Sequence, residues 1–157
     1  MTTELHPLGF FLPENTRLLM LGSFPPPKAR WSMDFYYPNI QNDMWRILGL
    51  IFYGNKDAFL RDKKAFSEEK AKAFCREKGI GIGDTAMEVI RLKANASDKF
   101  LEVVRPIDPE KVLSQIPECV AIVVTGRKRW ILSSPYCPAR RSRKWASRRN
   151  FLVWEGR

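Results

Sequence analysis

Apolar positions along the 157-residue chain fall into a few runs of distinct period. TRLLMLGS, residues 16–23, is a short apolar run closed by Gly22 and the prolines at 25–27, the form of a strand buried on both faces of a parallel sheet. NDMWRILGLIFYG, residues 42–54, sets Met44, Trp45, Ile47, Leu48, Ile51 and Phe52 at helical spacing, with Asn42 as N-cap and Gly54 as C-terminal stop. Such a helix should pack on the sheet. A second helix is predicted over residues 67–78, capped by Ser67, with Glu68 and Glu69 in its first turn and Gly79 at its end. DPEKVLSQIPE predicts a third, with Asp108 as N-cap and Pro109 at the first helical position, and CVAIVVTG a second buried strand ending in Gly126. Between them, GIGIGDTAMEVI alternates Gly79, Gly81 and Gly83. It leaves a helix instead of opening one, so the dinucleotide fingerprint is not met and a strand with close backbone packing is predicted.

Strand, helix, helix, strand, helix, strand is an α/β order. Sheets of this kind bind ligands at the carboxyl ends of their parallel strands, where GSFPPP lies. The composition, 45% apolar and 12% aromatic, is that of an ordinary globular domain. No eighteen consecutive residues are apolar and no basic stretch precedes the apolar patch near the N-terminus, so neither a membrane span nor a signal peptide is expected, and a cytoplasmic location is the default. Cys75, Cys119 and Cys137 are far apart and lack any C-x-x-C, which argues against a disulfide framework, a zinc knuckle or an iron–sulfur cluster.

A formal net charge of +10 points toward nucleic acid, but the charge is local. Residues 126–157 hold ten of the 27 Lys and Arg and only one of the 17 Asp and Glu, so residues 1–125 are nearly balanced. The chain therefore divides into an α/β domain, residues 1–126, and a basic C-terminal segment, residues 127–157. The segment shows no sustained period apart from FLVWE. Three accounts of it stand side by side. It is a DNA-contacting arm using Trp130, Trp145 and Trp154 as stacking or wedge residues, a degenerate remnant or the non-native product of a shifted reading frame, or an ordinary domain end.

The loop after the first strand carries a resemblance. LGSFPP followed by YYPNIQNDMWRILG is similar to the uracil-DNA glycosylase superfamily, nearest its mismatch-specific (thymine/uracil) and hypoxanthine (deoxyinosine) branches. The shared pattern is a Gly-x-x-Pro loop, here Gly22 and Pro25, then an aromatic pair, Tyr36 and Tyr37, an Asn at Asn42, and Trp45 near the start of a helix. Weaker similarity runs through GIGIGDTAMEVI, NASDKF and VVTG, covering roughly residues 16–126. The resemblance implies a three-layer α/β/α sandwich around a short parallel sheet, with its C-terminal part unassigned. It also implies base-excision repair of DNA, double- or single-stranded, by a monomer with no cofactor and no metal. Two departures stand out. Phe24 occupies the loop position where the mismatch-specific branch has a water-handling Asn; the hypoxanthine branch also lacks an amide there and relies on the Asn matching Asn42. The Ser/Pro-rich second motif of the family is not recognisable after Gly126.

Excising a base requires extruding the nucleotide, stacking its ring and bonding its edge. Phe24 is placed to stack on the base, with Tyr36 or Tyr37 as the opposite wall; otherwise these are core aromatics. Asn42 cannot serve as a general base, because an amide takes no proton at useful pH, and the one His, His6, lies far upstream in sequence. Its expected role is to orient water, compatible with capping a helix, while N–H groups of Gly22 and Ser23 oppose charge on the departing base. Lys28, Arg30 and Trp31 would contact flanking phosphates, or else form a solvated loop. The competing functions are a non-catalytic nucleic-acid-binding module or inactive remnant on the same fold, and a nucleotide-binding α/β domain unrelated to repair.

Overall fold

Leu18–Gly22 forms the strand that its apolar run predicts (β2), and it is the centre of the main sheet. The computed structural model describes residues 2–93, 98–125, 145–148 and 151–155. Before β2 lies a short strand β1 (Thr3–Leu5); after it come helix α1 (Met44–Tyr53), the small hairpin β3 (Leu60–Asp62) and β4 (Ala65–Phe66), and helix α2 (Glu68–Lys78). The chain continues through β5 (Ile80–Asp84), β6 (Ala86–Arg91), β7 (Leu101–Pro106), helix α3 (Pro109–Leu113) and β8 (Ala121–Val124). Two strands of the basic segment close the order, β9 (Trp145–Arg148) and β10 (Phe151–Glu155).

The main sheet has the order β5-β2-β8-β10-β9. β2 pairs in parallel with β5 on one side and β8 on the other, so the carboxyl ends of all three strands lie along one edge. β10 runs antiparallel to both β8 and β9, which places FLVWE at the strand its period suggested. Helices cover both faces of the sheet. On one, Met20, Ile80 and Ile82 join Trp45 and Leu48 of α1 with Phe74 and Cys75 of α2. On the other, Leu19, Leu21, Ile122 and Val124 join Ile107, Val112 and Ile116 in and around α3. This alternation along β2 is the period-2 geometry of a strand buried on both faces, and it makes the fold a three-layer α/β sandwich.

Helix ends follow the predicted chemistry with one exception. Ser67 Oγ accepts the Lys70 N–H and Asp108 Oδ1 accepts those of Glu110 and Lys111, while Gly54 and Gly79 close α1 and α2 in the left-handed conformation. At α1 the N-cap position belongs to Asp43, whose side chain makes no capping bond. Asn42, expected there, stands one residue earlier and its Oδ1 accepts the Met44 N–H at 2.8 Å. α1 also buries a narrower stripe than its apolar spacing suggested. Trp45 and Leu48 are in the core, whereas Ile47, Ile51 and Phe52 remain substantially exposed.

GIGIGDTAMEVI is two strands, not one. β5 stays in the parallel sheet, with Gly83 so close beneath Phe10 that a Cβ would meet the ring at 2.1 Å. β6 leaves for a second, antiparallel sheet of order β1-β6-β7. The turn between them is held by Thr85 N–H on Gly22 O and Ala86 N–H on Ser23 O, so the two sheets meet at the end of β2. α3 is shorter than predicted, ending at Leu113. Trp130 and Cys137 lie outside the described residues. Among those described, no helix is long and apolar enough to cross a membrane.

Candidate functional site

A cleft of about 310 Å³ opens at the carboxyl ends of β2, β5 and β8, small for a ligand site but at the position that a parallel sheet favours. Three strand ends supply its floor: Gly22 closing β2 with Ser23 after it, Asp84 closing β5, and Thr125 after β8. The loop from β2 supplies Phe24, Pro25 and Pro26, and the segment entering α1 supplies Tyr36, Tyr37, Pro38, Asn39, Gln41 and Asn42.

Two side chains of α1 fix that entering segment. Trp45 is fully buried, and its indole N–H donates to Tyr36 O at 3.0 Å, tying the tyrosine pair to α1. Truncating so buried an indole would cost about 3–5 kcal/mol. Arg46 donates from Nη1 to Ile40 O at 2.6 Å and to Asn42 O at 3.2 Å, while Asn42 N–H bonds Asn39 O. Asn42 is exposed at the rim with its amide oxygen held by Met44. That oxygen keeps a second lone pair and the amide nitrogen two donors.

Tyr37 is the one non-glycine residue with positive φ among those described, at 52°, a conformation that costs a bulky side chain on the order of 1–2 kcal/mol. Its hydroxyl meets Thr125 Oγ1 at 2.9 Å and its ring lies edge-on to Trp45, so tertiary contacts hold the strained backbone. Tyr36 is buried and donates to Gly9 O at 2.9 Å. Burial pushes both hydroxyls well above the ordinary tyrosine range, and the Asp84 carboxylate adds to the effect on each. Both tyrosines are therefore neutral hydrogen-bonding walls.

Phe24 is nearly buried, packed edge-on against the His6 ring at 5.2 Å, with the Arg91 guanidinium 5.9 Å from its centroid. Arg91 also donates to Pro25 O at 3.0 Å while pairing with Glu4, so the second sheet steadies the proline loop.

The structure thus brings Gly22, Ser23, Phe24, Pro25, Tyr36, Tyr37 and Asn42 to one cleft. It leaves Lys28, Arg30 and Trp31 outside. Residues 28–30 form a single 3-10 turn; the Lys28 ammonium pairs with Asp34 and sits 4.0 Å over the Trp31 ring, whose N–H donates to Pro26 O. Lys28 and Trp31 line a different surface cleft with Arg61, Phe66 and Glu68, and Arg30 is exposed.

Sequence reasoning missed Asp84, Thr125 and His6. The first two were within reach, because each stands at the end of a parallel strand, where the fold rule places ligand contacts. His6 was set aside as remote. β1 pairs antiparallel with β6, His6 N–H bonds Met87 O, and the imidazole arrives with Nε2 2.8 Å from Asp84 Oδ2.

No family model matches the chain, and no curated protein matches it. Among solved structures, it is similar to the solution NMR structure of a protein provisionally named uracil DNA glycosylase from Methanosarcina acetivorans, with 26% identity and a TM-score of 0.61. The match covers 80% of this chain and 71% of that one. This likeness, with the α/β architecture it shares, supports a relationship to the uracil-DNA glycosylase superfamily.

Proposed function

We propose that the protein is a monofunctional DNA glycosylase that hydrolyses the N-glycosidic bond of a flipped deaminated base, uracil or hypoxanthine, without a cofactor. The observation that carries this is the gathering of an aromatic ring, a neutral tyrosine wall and a rim amide, Phe24, Tyr37 and Asn42, in one small cleft at the parallel strand ends. Those are the parts that base extrusion needs: a face to stack on, an edge to read and a polar group beside the sugar.

In this reading Phe24 stacks on the base, contributing about 1–3 kcal/mol toward the unstacking cost. Tyr36 and Tyr37 form the opposite wall and exclude bulky substituents. Asn42 orients a water near the anomeric carbon through the second lone pair of its oxygen, and N–H groups of the Gly22–Ser23 strand end oppose charge on the departing base. Uracil and hypoxanthine leave as stabilised anions, so they suit a site that supplies no acid to protonate the departing base better than cytosine or adenine would. Lys28, Arg30 and Trp31, beside the cleft, contact flanking phosphates.

The test is single-turnover release from otherwise identical duplexes carrying uracil, hypoxanthine, a thymine mismatch or only normal bases. Faster release of uracil or hypoxanthine than of any normal base supports the proposal. Salt-dependent DNA binding with no release from any duplex would make the protein a non-catalytic binding module instead.

A further inference from the structure

Asn42 cannot accept a proton, and neither can the other amides of the cleft, Asn39 and Gln41. The hydroxyls of Ser23 and Thr125 are not bases at neutral pH, and both tyrosines are held neutral. Among the described residues that line the cleft, Asp84 is the one carboxylate.

Asp84 closes β5 directly opposite Gly22, and it is only 6% exposed. A carboxylate this buried is costly unless its oxygens are bonded. Oδ2 lies 2.8 Å from His6 Nε2, and the His6 side chain is itself 2% exposed. The imidazole is locked from its far side, where Nδ1 lies 3.1 Å from the Leu8 N–H and 2.5 Å from the Leu8 carbonyl oxygen. Neutral, with Nδ1 accepting from Leu8, or doubly protonated, with Nδ1 donating to Leu8, the ring presents an N–H at Nε2 to Asp84. The other carboxylate oxygen lies against the strand end, so near Gly22 that a Cβ there would stand 2.2 Å from Oδ1. Asp84 is thus a buried carboxylate lining the floor of the cleft and held by a ring from 78 residues earlier in the chain.

We infer that Asp84 is a catalytic residue that takes the proton of the attacking water, and that His6 is a positioning residue that fixes its carboxylate. The inference rests on the base-excision reading and supplies the proton acceptor that reading lacks. Water oxygen forms a bond to the anomeric carbon while the bond from that carbon to the base nitrogen breaks, its electron pair leaving with the base. The water proton passes to the Asp84 carboxylate and from there to solvent, and the base anion takes a proton from solvent. Asn42 and Asp84 divide the work: the amide orients the water and the carboxylate accepts from it.

The experiment uses full-length protein and a duplex from which the wild type releases a base, with DNA affinity and thermal melting measured for each variant. Asp84→Asn keeps size and hydrogen-bonding capacity; its single-turnover rate should fall by ~10²-fold or more while affinity changes little. His6→Gln retains a donor at the reach of Nε2, whereas His6→Phe retains ring volume without a donor. A positioning role predicts that His6→Gln releases base faster than His6→Phe, and that adding His6→Phe to Asp84→Asn costs nothing further. A merely structural role predicts the reverse order for the two His6 variants. A folded Asp84→Asn with the wild-type rate would overturn the inference and leave the glycosylase reading standing. Should Asp84→Asn not fold, the order of the His6 variants decides. A wild type that releases no base from any duplex would overturn both.

Discussion

Gly22 and Asp84 are register partners across the parallel pair β2–β5, and the absence of a side chain on the first makes room for the carboxylate of the second. Gly22→Ala should therefore destabilise the protein by roughly 1–3 kcal/mol, as over-packing does, although Ala is ordinarily a benign replacement in a strand. The double variant Gly22→Ala/Asp84→Ala should recover part of that loss, because it removes the atom the new methyl meets. Urea unfolding of the four proteins measures the coupling. Strict additivity would show that the close approach carries no energy.

Alkaline pH should unfold the protein earlier than its charge alone suggests. Burial pushes the Cys75 thiol up to about 12 and raises the Tyr36 and Tyr37 hydroxyls well above their usual values. In the unfolded chain such groups ionise near pH ~8.5 for Cys and ~10 for Tyr. Below that range both states hold these protons and the stabilisation is complete; above it the unfolded state sheds protons that the folded state retains, so stability falls as pH rises. Each group contributes a slope of up to ~1.4 kcal/mol per pH unit. Unfolding free energies between pH 7 and 11 should be level and then drop, with a shallower drop in Cys75→Ala. A level curve to pH 11 would contradict the burial assigned to all three.

Asn42 separates a turn bond from chemistry. Asn42→Ala loses the bond to Met44 N–H and should cost the fold ~1 kcal/mol, with DNA affinity nearly unchanged. Base release should fall by on the order of 10²-fold, the scale of removing one positioned polar group. Asn42→Asp keeps an oxygen for Met44 and should melt like the wild type. Equal release rates for wild type and Asn42→Ala would reduce this residue to a turn former.

The turn outside the cleft makes an electrostatic prediction. If it borders DNA, Arg30→Ala should reduce the slope of log affinity against log salt by ~0.9, one phosphate contact. Lys28→Ala should reduce it less, because Asp34 already pairs with that ammonium, and Asp34→Asn should tighten binding. Slopes identical in all three variants would move the DNA path away from this turn.

Much of this arrangement was legible in the sequence wherever a local cause acts. Leu18–Gly22 and Ala121–Val124 are strands because unbroken apolar runs of that length have two faces to bury, and Ser67, Asp108 and Gly79 mark helix ends through bonds made within a few residues. The split of β5 from β6 was not legible, because nothing near Thr85 announces that its N–H will bond Gly22, more than sixty residues earlier. The same holds for His6. Its meeting with Asp84 depends on the register between β1 and β6, a non-local pairing with no local pattern. Asn42 was displaced from the N-cap position because Asp43 and Asn42 both suit a helix start, and only the turn from Asn39 decides between them.

Direct identification of the products tests the central claim. An end-labelled duplex with one hypoxanthine or one uracil is incubated with excess protein, the strand is treated with alkali to break at abasic sites, and the released material is weighed by mass spectrometry. The account predicts cleavage at the modified position alone, with one equivalent of free hypoxanthine or uracil and no strand break before alkali. Intact strands and no free base from either duplex, under conditions where the protein binds them, would contradict it.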